Sequence, residues 1–227
     1  MLQLVIGNKN YSSWSMRPWV LLRHFDIAFE EVRLRFDFTP GSDFYRALAR
    51  YTPAGRVPVL LIDGFAVWDT LAIIEALAEQ CPEHAIWPHD RRARARARSL
   101  CAELHAGFGA LRSHCPMNIE ATLAEVGARV LREQDGVRSD LARLDAMWSE
   151  QLAASGGPFL FGAFSAADAY FAPVCARLRT YALPVSALVQ GYVGRVWAAP
   201  GVSHWVTDAL AEQEFLDFEE PYRKTRG

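Results

Sequence analysis

The chain has 227 residues, of which 51% are hydrophobic and 22% charged, and its formal net charge is −2 at pH 7. This fits one or two domains with enough apolar mass to bury a core, and it excludes a disordered chain. The slightly acidic balance argues against a dedicated nucleic-acid binder, and no apolar run reaches the ~20 residues of a membrane-spanning helix.

In chain order, Leu2 to Ile6 is an apolar run ending in Gly7-Asn8, a turn signal, and reads as a strand. No basic segment precedes it, so it is not read as a signal peptide, and a cytoplasmic protein is expected. After a polar loop, a helix is expected over 16–25, with Ser15 as its cap and Pro18 in its first turn. Residues 29–36 alternate, with Phe29, Val32, Leu34 and Phe36 set against charged neighbours, and read as a second strand. Thr39-Pro40-Gly41-Ser42 breaks the chain before a short helix over 43–50. A strand over 57–62 follows. Pro58 has no backbone N–H, so it opens this strand rather than sitting inside it. Asp63-Gly64 is a hairpin turn into Phe65 to Trp68. Asp69-Thr70 then starts a helix to residue 80 with the apolar stripe Leu71, Ile74, Leu77 and Ala78.

Residues 81–90 carry Pro82 and Pro88 without a clear period and read as a linker. Beyond them the pattern is helical throughout: 91–112, 119–133, 137–154, 166–181, 186–198 and 202–214. The alternating arginines from Arg91 to Arg98 read as the exposed start of a helix, since Ala and Arg are both strong helix formers. Cys81, Cys101, Cys115 and Cys175 are far apart and form no Cys-x-x-Cys pair, which reads as reduced, buried thiols.

Several chemistries lack their residues. There is no Gly-x-Ser-x-Gly elbow and no phosphate loop. Gly107-Phe108-Gly109 lacks a third glycine and falls in a helical stretch. The six histidines form no His-x3-His pair, so no metal site is expected. What remains is a distributed site in the first eighty residues. The loop Tyr11-Ser12-Ser13-Trp14-Ser15 leads into a helix N-terminus, where free N–H groups and the helix dipole stabilise a thiolate. The loop has hydroxyls and no cysteine, so a thiolate used there comes from a ligand; the serines otherwise serve as caps. Arg56-Val57-Pro58 is a second element, and its X–Pro bond taken alone favours trans. Asp69-Thr70 is a third: free N–H groups and Thr70 suit a carboxylate and Asp69 an ammonium, or the pair only caps a helix.

Together, Ser-Ser-Trp-Ser-Met-Arg, Ala-Gly-Arg-Val-Pro-Val-Leu and Trp-Asp-Thr-Leu-Ala-Ile-Ile-Glu-Ala-Leu resemble the cytosolic glutathione transferase family. The resemblance is nearest to serine-type, zeta-like bacterial members, with Trp14 where the zeta loop has a cysteine and Arg17 in register with the family's arginine. Phe164-Ser165-Ala166-Ala167-Asp168 resembles the family's capping box, a folding element. The resemblance implies an α/β thioredoxin-like glutathione-binding domain over 1–80, a linker over 81–90 and an all-helical domain over 91–227 that contributes the electrophile site. It implies that Ser12, with Ser13 as the alternative, activates glutathione, the co-substrate. Val57, presented by a cis Pro58, would pair with the cysteinyl part. Arg56 would face the glycyl carboxylate, and Asp69 and Thr70 the γ-glutamyl end. Tyr11, Trp14, His114 and Met117 are candidates for the electrophile site. The implied activity is a detoxification-type transfer of glutathione to a small hydrophobic electrophile by a homodimer. A glutathione-dependent isomerase or peroxidase, and a non-catalytic binding module, are the alternatives.

Overall fold

A computed structural model describes residues 1–226. The first unit runs β1 (Leu2–Ile6), α1 (Ser13–His24), β2 (Glu30–Arg33), α2 (Asp43–Leu48), β3 (Val59–Ile62), β4 (Phe65–Trp68) and α3 (Thr70–Gln80). The strands form one mixed sheet in the order β2-β1-β3-β4. β1 runs parallel to β2, with Val5 opposite Val32, and antiparallel to β3, with Leu4 opposite Leu60. Side chains alternate across a strand, so β1 feeds two cores. Leu4 and Ile6 join Trp19, Leu21 and Ile74 beneath α1 and α3, while Val5 joins Phe36, Phe44 and Leu48 beneath α2.

The expected β2 is longer than the one formed. Leu34 still donates to the Ile6 carbonyl at 2.8 Å, but the Phe36 N–H is taken by Asn8 Oδ1 at 2.8 Å, which ends the ladder. α1 starts three residues earlier than expected. Ser12 occupies the cap position without a side-chain cap bond, and Ser15 lies inside the first turn. The Val57–Pro58 peptide is cis, as the family resemblance implied and the bare X–Pro preference did not.

Residues 81–90 contain no helix or strand, and the second unit is helical: α4 (Arg91–Ala106), α5 (Gly109–His114), α6 (Ala124–Glu133), α7 (Asp135–Ser155), α8 (Ala166–Thr180), α9 (Ala187–Ala198) and α10 (Pro200–Glu212). The arginine run forms the first turns of α4. Asp90 caps it by accepting from the Arg92 and Ala93 N–H groups. Two helix expectations are corrected. The helix expected over 91–112 breaks where Phe108 takes φ 54°, so α4 and α5 are separate. The helix expected from 119 begins at Ala124, because the N–H groups of residues 119–121 are committed elsewhere. Ile119 and Glu120 donate to Asn10, and Ala121 donates to Asn118 Oδ1.

α8 is buried almost all round and forms the central post of the helical unit. At its start, Asp168 accepts from the Ser165 N–H (2.9 Å), the Leu160 N–H (3.2 Å) and the Tyr192 hydroxyl (3.0 Å). α1 packs against both α8 and α10, so the first unit's helix belongs to both cores. Gly201 permits this approach: a Cβ there would lie 2.3 Å from the Val20 carbonyl oxygen. After α10 the chain returns across the sheet through a single 3-10 turn, Asp217–Glu219, to the mouth of the interdomain cleft.

Candidate active site

A cleft of about 1090 Å³ lies between the two units. Its first wall carries Tyr11, Ser12, Ser13, Trp14, Arg56, Val57, Pro58, Asp69 and Thr70. The opposite wall carries His105, Arg112, Met117 and Arg177, and the C-terminal tail adds Glu219. Of the residues singled out from sequence, His114 does not line the cleft; its carbonyl oxygen accepts from the Tyr222 hydroxyl at 2.8 Å.

The serine loop sits at the N-terminus of α1, so any group bound over it meets unpaired backbone N–H groups and the positive end of a helix dipole. Ser12 is buried, and its hydroxyl donates to Ser15 Oγ at 2.7 Å. Ser15 Oγ also accepts from the Gly7 N–H at 3.2 Å. Ser13 opens the helix, half-buried. Tyr11 turns its hydroxyl away from the loop and donates to Glu220 Oε1 at 2.7 Å. Burial and this carboxylate push its pKa up to about 12, so it stays neutral.

Asp69 and Thr70 begin α3. Asp69 has φ 72°, a conformation costly for a residue with a Cβ, and its carboxylate caps the helix by accepting from the Leu71 N–H at 2.9 Å. Thr70 is buried and accepts from Arg17 Nη1 at 3.3 Å. Its hydroxyl pairs with the Tyr170 hydroxyl at 2.9 Å, and Tyr170 pairs with His105 Nδ1 at 2.8 Å. His105 Nε2 lies 3.3 Å from Asp69 Oδ2. With Nε2 protonated, the bonds run in one direction: Arg17 Nη1 to Thr70, Thr70 to Tyr170, Tyr170 to His105, His105 to Asp69, while the buried Arg17 Nε has no partner. Two residues of the helical unit thus hold both residues at the start of α3.

The cleft charge of Arg112 and Arg177 is the feature the sequence reading missed; Arg17, noted there from the resemblance, is buried behind the lining. The Arg17 guanidinium lies between the rings of Trp14 (4.1 Å) and Tyr170 (4.0 Å). Arg177 Nε and Nη1 donate to the Cys115 and Pro173 carbonyls at 2.9 and 3.1 Å. Arg112 donates weakly to the His105 and Gly107 carbonyls and lies 5.1 Å from the Trp14 ring. Among the described residues none of these three arginines forms a salt bridge with a carboxylate. Burial pushes Arg17 and Arg177 down to about 10, helped by Arg112 in both cases and by Arg17 at Arg177, and both remain cations at neutral pH. Uncompensated buried cations are costly, so the cleft is poised for an anion. No local signal in the sequence marks Arg112, Arg177, His105 or Tyr170. They are single residues on separate helices, and only the packing of α4, α5 and α8 brings them together.

Comparison with known proteins gives the family. The family description "Glutathione S-transferase, N-terminal domain" matches residues 11–80, and "Glutathione S-transferase, C-terminal domain" matches residues 90–208. The chain is 25% identical over 215 residues to the maleylacetoacetate isomerase of Rattus norvegicus, covering 93% of this chain and 88% of the rat protein. It is 30% identical over 96 residues to a probable maleylacetoacetate isomerase of Caenorhabditis elegans, a match spanning 42% of each chain. Among solved structures, a glutathione transferase homologue from Burkholderia (BGR1), crystallised with bound glutathione, superposes with a TM-score of 0.71 at 25% identity, covering 92% of this chain and 98% of that one.

Proposed function

Since this chain belongs to the glutathione S-transferase family, we propose that it transfers or adds glutathione to an electrophile that carries both an apolar part and a carboxylate. Residues 1–80 form the glutathione-binding unit in this reading, residues 81–90 the linker, and residues 91–227 the electrophile wall. The observation that carries the acidic substrate is the pair of guanidinium groups of Arg112 and Arg177, without carboxylate partners among the described residues, on the wall facing the serine loop. The neighbouring rings of Tyr11 and Trp14 and the side chain of Met117 supply the apolar part.

The residues fit glutathione part by part. Val57 beside the cis Pro58 offers backbone groups to the cysteinyl unit, and Arg56, exposed at the rim, faces the glycyl carboxylate. Thr70, with Arg17 behind it, takes the γ-glutamyl carboxylate, and Asp69 takes the γ-glutamyl ammonium. This places the sulfur over the start of α1, where Ser12 donates a hydrogen bond to it, Ser13 being the alternative. The S–H bond breaks, the proton leaves to water through the cleft, and the electron pair stays on sulfur. The thiolate then adds to an electron-poor carbon whose carboxylate is held by Arg112 and Arg177.

Where that carbon bears a leaving group, the group departs and a conjugate is formed. Where it belongs to a cis double bond conjugated to carbonyls, addition leaves a single bond that rotates, and expulsion of glutathione returns the trans isomer. Isomerisation is favoured by the rat and nematode relatives, both named for maleylacetoacetate, itself an acid. A homodimer in the cytoplasm completes the proposal. The four free, buried cysteines suit a reducing compartment, and no described helix is long and apolar enough to cross a membrane.

The test is a panel of acidic and neutral electrophiles with glutathione. Ser12→Ala should lower kcat/KM roughly ten- to a hundredfold, the worth of one hydrogen bond to a charged group, with little change in glutathione affinity. Arg112→Gln should raise KM for acidic electrophiles and leave neutral ones unaffected. Failure to bind glutathione at millimolar concentration removes the enzymatic reading. Equal effects of Arg112→Gln on both substrate classes remove the acidic one.

A further inference from the structure

The serine loop contains a third hydroxyl that the activation step as described leaves unused. Ser15 is fully buried in the first turn of α1, does not line the cleft, and touches Ser12 at 2.7 Å. Two hydroxyls at that distance carry two hydrogens, and only one can lie between them. With Ser12 donating, the Ser15 hydrogen has no acceptor among the described residues, a poor arrangement for a buried hydroxyl. With Ser15 donating, the Gly7 N–H and the whole Ser15 hydroxyl are satisfied. The Gly7 N–H gives to Ser15 Oγ at 3.2 Å, Ser15 gives to Ser12 Oγ, and the Ser12 hydrogen is released from the pair. Ser12 lines the cleft, so an acceptor for that hydrogen arrives with a ligand. Hydroxyl hydrogens rotate freely, and a thiolate at the loop selects the second arrangement.

We infer that Ser15 is a positioning residue for thiol activation: anchored by the Gly7 amide, it donates to Ser12 and directs the Ser12 hydrogen to the glutathione sulfur. This rests on Ser12 as the activating residue. The anchor is rigid. Gly7, directly after β1, has no room for a side chain, since a Cβ there would lie 2.1 Å from the Phe36 ring. The chain amide–Ser15–Ser12–sulfur aligns three dipoles toward the charge that forms, and such chains strengthen each bond in turn. Ser13 has no side-chain partner of this kind among the described residues, which is why the same argument selects Ser12 over Ser13. No proton is transferred along the chain; the hydroxyls only reorient, and the thiol proton goes to water.

The readout is the thiol pKa of bound glutathione, followed by the ultraviolet absorption of the thiolate against pH. Ser12→Ala should raise it by roughly one to two units, the worth of a hydrogen bond to a charged group. Ser15→Ala should raise it by roughly half to one unit, with glutathione Kd unchanged at pH values below that pKa, where the thiol form binds. Ser15→Thr should restore the wild-type value. Ser15→Cys, close in size and a weaker donor, should fall between and serves if the alanine variant is too unstable to titrate. In the Ser12→Ala background, Ser15→Ala should add nothing. A thiol pKa unmoved by Ser12→Ala overturns Ser12 as activator. A shift with Ser12→Ala but none with Ser15→Ala or Ser15→Cys overturns the Ser15 role alone, as does a Ser15→Ala shift that persists without Ser12.

Discussion

At the scale of single residues, Glu219 is a cleft carboxyl whose ionisation changes near neutral pH. It lines the cleft, and burial together with the neighbouring Glu220 pushes its carboxyl up to about 7. Below that pH it is neutral; above it, its negative charge enters a cleft that otherwise favours anions. KM for an acidic electrophile should therefore rise several-fold as pH passes through about 7, while a neutral electrophile shows no such rise. Glu219→Gln should flatten the profile, and a wild-type profile flat for both substrate types rules this role out. Tyr170 makes a separate prediction. Tyr170→Phe removes the hydroxyl that joins Thr70 to His105. Losing one such bond costs about 0.5–1.5 kcal/mol, roughly a two- to tenfold weaker grip on glutathione by calorimetric titration. Unchanged affinity would mean that Thr70 and Asp69 hold their places without the helical unit's help.

At the scale of elements, the last residue of α10 and the segment after it form a strap that fixes the loop before α1. Glu212 accepts from the Lys9 N–H (2.8 Å), and Glu214 accepts from Asn8 Nδ2 (3.0 Å) and Arg33 Nη1 (2.7 Å). Glu220 accepts from Tyr11, Asn118 and Arg223. Glu220→Ala leaves those three donors without this acceptor and should cost about 3 kcal/mol in urea unfolding. A loss well under 1 kcal/mol would show the strap to be loosely held. This strap also shows what sequence patterning can and cannot reveal. The β-α-β-α-β-β-α order, the Asp63-Gly64 turn and the helical second half are legible because each follows from periodicity and turn residues within one segment. The motifs around Ser12, Pro58 and Asp69 were legible as a set through family resemblance, not singly. The strap was not, because its bonds to the loop before α1 join residues some two hundred positions apart. Nor was the Ser15 position: a serine one turn into a helix reads as a cap until the backbone shows where the helix begins.

At the scale of the whole molecule, the two units share α1, and their seam has its own pH response. Gly201→Ala would force α10 off the Val20 carbonyl and should cost about 1–3 kcal/mol, as overpacking does. His24, near the end of α1, stacks on Phe164 of the other unit at 3.8 Å with 16° between ring planes. Its Nδ1 is buried without a partner, and burial holds its pKa below the ordinary 6.5. The unfolded chain therefore takes up a proton at His24 that the folded chain refuses, from 6.5 downward. By linkage this contribution is fully present above 6.5 and is lost as pH falls below it. Asp168 and Glu219, raised by burial to about 6 and about 7, act in the opposite sense: stability from each falls as pH rises toward those values. The wild-type profile is the sum, so only a difference measurement isolates the seam. His24→Phe keeps an aromatic ring for the stack and removes the titration. Its stability relative to wild type should be constant at about pH 8 and above, and should improve steadily as pH is lowered to about 5.5. A difference that stays constant across that range would place the His24 ring in ordinary contact with water, and the seam's pH response would then have to come from the buried carboxyls alone.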